Sequence, residues 1–165
     1  VVEVARRLPE VQPFIDAQTA MRFADVIREI RSHQRQAEHR DVERAERRDG
    51  AVIIVSSIGG LKGSSSLGTY GLSKAADMAL ARNLAVEWGP RNVRVNCIAP
   101  GIIRTDFAKA LWDNPETYNN AIARYPLRRI GEADEIAGTA IYLASAAGSF
   151  ITGQTLVVDG GATIT

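Results

Sequence analysis

The chain has 165 residues, 45% apolar and 24% charged, with a formal net charge of +1. That length and balance allow one globular domain with a real hydrophobic core, and the near-neutral charge gives no case for nucleic acid or an acidic surface as partner. Cys97 is the only cysteine, which excludes an internal disulfide framework and a thiolate metal cluster, and no apolar run approaches the ~18 residues of a membrane span or forms a signal-peptide core, so the expectation is a cytoplasmic protein with no membrane partner.

Composition breaks sharply near Gly50, the first of the fourteen glycines. Residues 1–49 carry 10 Arg, 10 Asp/Glu and both histidines but no lysine, whereas Lys62, Lys74, Lys109 and every asparagine lie beyond the break. The expected organisation is an atypical charged, helical arm over 1–49 joined to a unit of different composition over 50–165. Val1–Ala5 is at most a short strand, and Pro9 and Pro13 interrupt the residues after it. From about Thr19, Met21, Phe23, Val26, Ile27 and Ile30 recur at helical spacing. Beyond Arg31 the apolar face fades, leaving a solvated helix or a partly disordered arm. A basic binding helix is the sharper alternative, weakened because acidic residues cancel the arginines.

Asp49-Gly50 is a turn signal, and Ala51–Val55 is apolar on both faces, as a parallel strand between helix layers should be. A Gly/Ser-rich loop covers 59–68, with a helix expected from about Gly68 to Trp88. Its apolar stripe is read as Leu72, Ala76, Ala79, Leu80, Leu84 and Ala85, and Gly89-Pro90 stops it. A second strand spans Val93 to Ile98 and runs into Pro100-Gly101. Short helices are expected at 106–111 and 115–124, the second opened by Asn114-Pro115. The stretch 102–127 reads equally as a substrate lid, in which Phe107, Leu111 and Trp112 favour an apolar group, or as plain connecting structure. An amphipathic helix over about 131–144 and a strand at 155–158 complete the chain. Three parallel strands joined by helical crossovers predict an α/β fold: a doubly wound, Rossmann-like, mostly parallel sheet.

Polar residues gather at the carboxyl ends of these strands, where open α/β sheets bind their ligands. Tyr70 and Lys74 are four apart and share one helix face. An isolated tyrosine hydroxyl, with a pKa of about 10, is a poor acid–base catalyst at neutrality, and a neighbouring ammonium favours its phenolate. Ser57, thirteen residues before Tyr70, could hold a carbonyl or alcohol oxygen beside it. A surface Tyr and Lys four apart are common, so the pair alone is weak evidence.

The surrounding words strengthen it. SSIGG…TYGLSK, RNVRVNCIAPG, the Pro100-Gly101-Ile-Ile103-Arg-Thr105 loop and ITGQTLVVDGG stand in the order and spacing of the short-chain dehydrogenase/reductase family, which the chain resembles over about residues 50–161. The resemblance implies an oxidoreductase moving hydride between NAD or NADP and a ketone or secondary alcohol. It implies that Ser57 polarises the substrate oxygen, Tyr70 transfers the proton, and Lys74 tunes the tyrosine and holds the nicotinamide ribose. It assigns the carboxamide to the segment after Pro100 and Gly101, through the Ile103 backbone and Thr105. It makes Asn96 a structural asparagine near the site, although a hydrogen bond within the strand-end loop explains that residue equally well. Ser56 reads as backbone support and Cys97 as a small buried apolar residue. The resemblance also implies a small-molecule partner and dimers or tetramers, with the last helix and strand at one interface.

Other family features have no counterpart among these residues. Residues 1–49 hold no glycine, so no glycine-rich pyrophosphate turn is found there. No acidic or basic residue maps onto the position that separates NAD from NADP, and no asparagine precedes Asn83 to match the catalytic one. The fold is therefore expected to be amino-terminally truncated, with a bare apolar edge at 51–55 that residues 19–30 or another chain cover. Two explanations of the seam stand side by side: a different reading frame or rearranged gene before Gly50, and a naturally shortened member. Two functional alternatives also stand: a non-catalytic scaffold or interaction subunit, and a phosphate-binding α/β protein outside the family.

Overall fold

The computed structural model describes residues 50–64 and 68–165. The strand at 1–5, the helix from Thr19 and the cover supplied by 19–30 lie outside the described residues.

The order is β1 (Gly50–Val55), a 3-10 turn at Ile58–Gly60, α1 (Gly68–Trp88), β2 (Val93–Pro100), a 3-10 helix at Asp106–Leu111, α2 (Pro115–Ile122), α3 (Ala133–Ala144) and β3 (Thr155–Val158). The strands form one parallel sheet in the order β1-β2-β3. Ile54 pairs with Cys97 and Val55 with Ile98, while Cys97 pairs with Thr155 and Pro100 with Val158. The three carboxyl ends are thereby brought to one side of the sheet, leading into Ser57, Gly101 and Asp159.

β2 is the central strand, and apart from Arg94 every one of its residues is buried. Its alternate side chains face two helix layers. Val93, Val95, Cys97 and Ala99 pack with Met78, Ala81, Ala85 and Trp88 of α1, with Val52 and Ile54 of β1 alongside. Arg94, on the alternate face, donates from Nη1 to the carbonyls of Leu143 and Gly148, both at 2.7 Å. A cation thus meets the Leu143 carbonyl in the last turn of α3, the favourable end of the helix dipole, and the Gly148 carbonyl just beyond it. The helices cover opposite faces, so the sheet is doubly wound.

The buried stripe of α1 differs from the one expected from periodicity. It runs Met78, Ala81, Ala85, Trp88, whereas Leu72 is exposed and Leu84 only borders the core. Apolar residues occur on every side of the helix, with Leu80 and Leu84 on one face and Val86 on another, so periodicity alone does not identify the side that meets β2. At α2 the expected start is observed: Asn114 Oδ1 accepts from the amides of Glu116 and Thr117, and Pro115 occupies the first helical position. Among the described residues no helix is long and apolar enough to cross a membrane.

Asn96 is the main polar tie inside the sheet. It is 1% exposed, donates from Nδ2 to the Ile151 carbonyl at 2.8 Å and accepts at Oδ1 from the Gln154 amide at 3.0 Å. It fixes the approach to β3, which answers the open reading of this residue in favour of structure. Replacing Asn96 with Ala removes the partner of the Gln154 amide and leaves the Ile151 carbonyl only its longer bond from Arg94 Nη1, at 3.4 Å, and urea unfolding is expected to report a loss of about 1–3 kcal/mol.

Arg129 and Glu135 form a two-bond ion pair at 2.8 and 2.6 Å, and Glu135 also accepts from the Glu132 amide at 2.8 Å. The Arg129 hydrogen bonds, then the Glu132 amide, hold the Glu135 carboxyl down at about 2, against an ordinary 4.5. A depressed folded-state value means that the contribution is present above about 4.5 and is lost as pH falls through about 2. The stability gap between wild type and Glu135→Gln should therefore shrink across that window in unfolding curves at pH 6, 4 and 2.5.

Candidate active site

Strand β1 is apolar and β-branched, so it extends into the sheet and delivers Ser56 and Ser57 at its end. Their side chains take different tasks. Ser56 is buried and donates from Oγ to the Lys74 carbonyl at 2.7 Å, tying the end of β1 to the second turn of α1. This is the support expected of it. Ser57 is half-buried and begins the 3-10 turn, its Oγ accepting from the Gly59 amide at 3.1 Å. The bond occupies a lone pair and leaves the Ser57 hydroxyl proton available to another acceptor.

The turn presses against α1, backbone to backbone. A methyl group on Gly60 would lie 2.6 Å from the Ala75 nitrogen and 2.7 Å from the Lys74 carbonyl carbon, and one on Gly71 would lie 2.7 Å from the Gly59 oxygen. Only residues without a β-carbon fit this contact. It draws the predicted catalytic residues together. A methyl placed on Gly59 would sit 3.1 Å from Tyr70 Cε1 and 3.4 Å from Ser57 Oγ, so the Tyr70 ring edge and the Ser57 hydroxyl both border Gly59. Lys74 lies on the same helix face, its Nζ 5.9 Å from the Tyr70 ring centroid.

Lys74 has a partner that sequence reasoning missed. Its Nζ lies 3.1 Å from Asp77 Oδ2 and 3.5 Å from the Val55 carbonyl. The i,i+3 spacing was the available signal. Asp77 also bears on Cys97: burial pushes the thiol up, and the negative charge of Asp77 adds to that. A buried thiol held protonated fits the apolar reading of Cys97.

The residues expected to meet a nicotinamide carboxamide come directly after β2. The Ser56 amide donates to the Ile98 carbonyl at 2.8 Å and the Gly101 amide to the Val158 carbonyl at 2.9 Å, so Pro100 and Gly101 sit beside the ends of both neighbouring strands. Ile103 bridges to Gly131. Thr105 is exposed, and among the described residues its hydroxyl reaches the Ile103 carbonyl, at 3.4 Å. Half-exposed Lys74 and a loosely held Thr105 hydroxyl offer polar groups that fit the ribose and carboxamide of a nicotinamide.

The stretch 102–127 is more tied down than a free lid. Phe107 is 87% exposed, but Trp112 is half-buried, donates from Nε1 to the Thr105 carbonyl at 3.2 Å and lies under the Arg104 guanidinium. Lys62, from the loop after β1, donates to the Ala162 carbonyl in the tail after β3. Nearby, burial pushes the Asp159 carboxyl up, but hydrogen bonds from Thr163 and Gly161 together with the Lys62 charge outweigh it and leave the group below its ordinary value.

Gly60→Ala tests the backbone contact. No flexible side chain can yield there, so denaturation is expected to show a loss of about 1–3 kcal/mol, while Gly63→Ala, facing open space, has little effect.

Comparison with known proteins is consistent with this geometry. A family model described as enoyl-(acyl carrier protein) reductase matches residues 9–163, reaching well before Gly50. Dehydrogenase/reductase SDR family member 4 of Bos taurus is 46% identical over 119 residues, covering 72% of this chain and 43% of the relative. The 3-oxoacyl-(acyl-carrier-protein) reductase FabG of Chlamydia trachomatis is 48% identical over 114 residues, covering 69% and 45%. The chain thus spans less than half the length of these curated relatives. Among solved structures, a gluconate 5-dehydrogenase from Burkholderia cenocepacia in complex with NADP and tartrate superposes with a TM-score of 0.75 at 32% identity, covering 78% of this chain and 51% of that one. A short-chain type dehydrogenase/reductase from Mycobacterium ulcerans gives 0.74 at 37% identity, covering 78% and 46%.

Proposed function

The chain belongs to the short-chain dehydrogenase/reductase family, and on that premise we propose that it carries the proton-transfer and nicotinamide-facing part of an oxidoreductase interconverting a ketone and a secondary alcohol. Residues 50–165 are read as the carboxyl-terminal portion of one Rossmann-like domain. The observation that carries the reading is that the Ser57 hydroxyl and the Tyr70 ring edge both border Gly59, with the Lys74 ammonium on the same helix face as Tyr70.

A nicotinamide dinucleotide, NAD or NADP, supplies the hydride chemistry when bound; Lys74, Thr105 and the Ile103 backbone would hold its ribose and carboxamide, with Pro100 and Gly101 shaping the bend. The chain's own residues handle the oxygen. In reduction, Ser57 donates a hydrogen bond to the carbonyl oxygen and orients it. Tyr70 gives its hydroxyl proton to that oxygen as negative charge develops. The Lys74 ammonium then stabilises the phenolate left behind. In oxidation the same groups act in reverse, with the phenolate taking the alcohol proton. Asp77 keeps the ammonium against α1. The corresponding partners are a small carbonyl or alcohol compound and further copies of the fold in the cytoplasm. Exposed Ile141 and Phe150 in the α3–β3 unit favour self-association.

A non-catalytic scaffold is the competing reading, favoured by the lack of any glycine before Gly50 for a pyrophosphate turn. Calorimetric titration of the chain with NADH and NADPH separates the two. Saturable micromolar binding is expected, with turnover falling about 10²–10⁴-fold in Tyr70→Phe, the usual worth of a general acid. No heat up to millimolar cofactor would put the scaffold reading first.

A further inference from the structure

The segment after β2 faces a physical problem. Residues 102–105 are irregular, exposed over Arg104 and Thr105, and yet have to present a fixed edge if they are to hold a planar ligand. On one side the hold is evident: the Gly131 amide donates to the Ile102 carbonyl and the Arg104 amide to the Gly131 carbonyl, both at 2.9 Å. On the other side it comes from Trp112. The indole Nε1 donates to the Thr105 carbonyl at 3.2 Å, which also accepts from the Ala108 amide at 3.1 Å. The Arg104 guanidinium lies 5.1 Å from the Trp112 ring centroid, and its Nε donates to Glu132 Oε1 at 3.1 Å. Arg104 is therefore held between the indole face and a carboxylate that adjoins Gly131.

We propose that Trp112 is a positioning residue: its indole N–H and ring face, acting through Thr105 and Arg104, set the Ile103–Thr105 backbone against which a nicotinamide is seated. This deepens the proposed function and rests on it. The reading of Trp112 as an apolar substrate contact changes accordingly. Its ring is taken up by Arg104, its N–H by the main chain, and Phe107, Leu111 and Leu127 are the large apolar side chains of this stretch that are open to solvent. A tryptophan suits the position because one side chain supplies both a donor and a broad cation-binding face.

The test uses the purified chain, Trp112→Phe, which keeps a ring and removes the donor, and Arg104→Gln, which removes the cation; Phe107→Ala is the exposed control. Amide exchange over 103–112 in the free chain is expected to rise about tenfold in the first two variants, and NADH or NADPH affinity to fall by a similar factor, the scale of one lost hydrogen bond. The emission of bound reduced nicotinamide should shift to the red, and the unfolding midpoint should stay near wild type. Unchanged exchange in both variants overturns the proposal. So does faster exchange with undiminished affinity and unshifted emission, since Trp112 would then only stiffen a loop. Failure of the wild-type chain to bind either cofactor overturns the nicotinamide reading itself and the positioning role with it, an outcome distinct from binding that persists in the variants.

Discussion

The site depends on a backbone contact between the turn after β1 and the opening of α1. Hydroxyl, phenol and ammonium groups can act together only if strand end and helix approach more closely than side chains normally allow. Gly60 against Lys74–Ala75 and Gly71 against the Gly59 carbonyl remove the β-carbons that would separate them. The Ser56 hydroxyl closes the gap with a 2.7 Å bond to the Lys74 carbonyl. Helix α1 in turn cannot slide, because Met78, Ala81, Ala85 and Trp88 are buried against β2. The spacing of Ser57, Tyr70 and Lys74 is thus set by the hydrophobic core at one end of α1 and by glycine packing at the other.

Central strand β2 serves both halves of this arrangement. Its odd-numbered residues form the floor under α1, while Arg94 and Asn96 on the other face collect the loose carbonyls and amides between α3 and β3. Two polar side chains in a buried strand would destabilise it if unpaired, and both are paired with main-chain groups of the segment from Leu143 to Gln154. The polar face orders the approach to β3, and β3 in turn brings Asp159 beside Gly101.

Much of this is legible in the amino-acid sequence for simple reasons. The three strands are short β-branched runs bounded by turn residues, and the helix starts carry Asn114-Pro115 or a glycine break, so local chemistry alone locates them. Tyr70 and Lys74 stand out because helical spacing puts them on one face. The features that escape a sequence reading depend on neighbours remote along the chain. The buried side of α1 is displaced from the expected one because apolar residues occur on every side of the helix and only contact with Val95 and Cys97 identifies the inner side. Trp112 reads as an apolar lid residue because nothing local reveals that its N–H meets Thr105 or that Arg104, itself tied to Glu132 twenty-eight residues on, lies over its ring.

The division of the chain near Gly50 has a physical counterpart in what each half of a dinucleotide site requires. Binding a pyrophosphate takes a glycine-rich turn feeding a helix N-terminus, where several amides point at one anion. Orienting a carbonyl and moving its proton takes a strand end, a tight turn and one helix face. These structures are separable: in residues 50–105 the strand end, the tight turn and the helix face are held by bonds among themselves. Affinity for a whole cofactor is a separate quantity, since the ribose and carboxamide contacts available to Lys74, Ile103 and Thr105 engage only the nicotinamide end. On the proposed reading, the arrangement of Ser57, Tyr70 and Lys74 is kept by the chain's own core, while the hold on a cofactor depends on how firmly the segment after β2 is fixed, and that is where Trp112 and Arg104 would act.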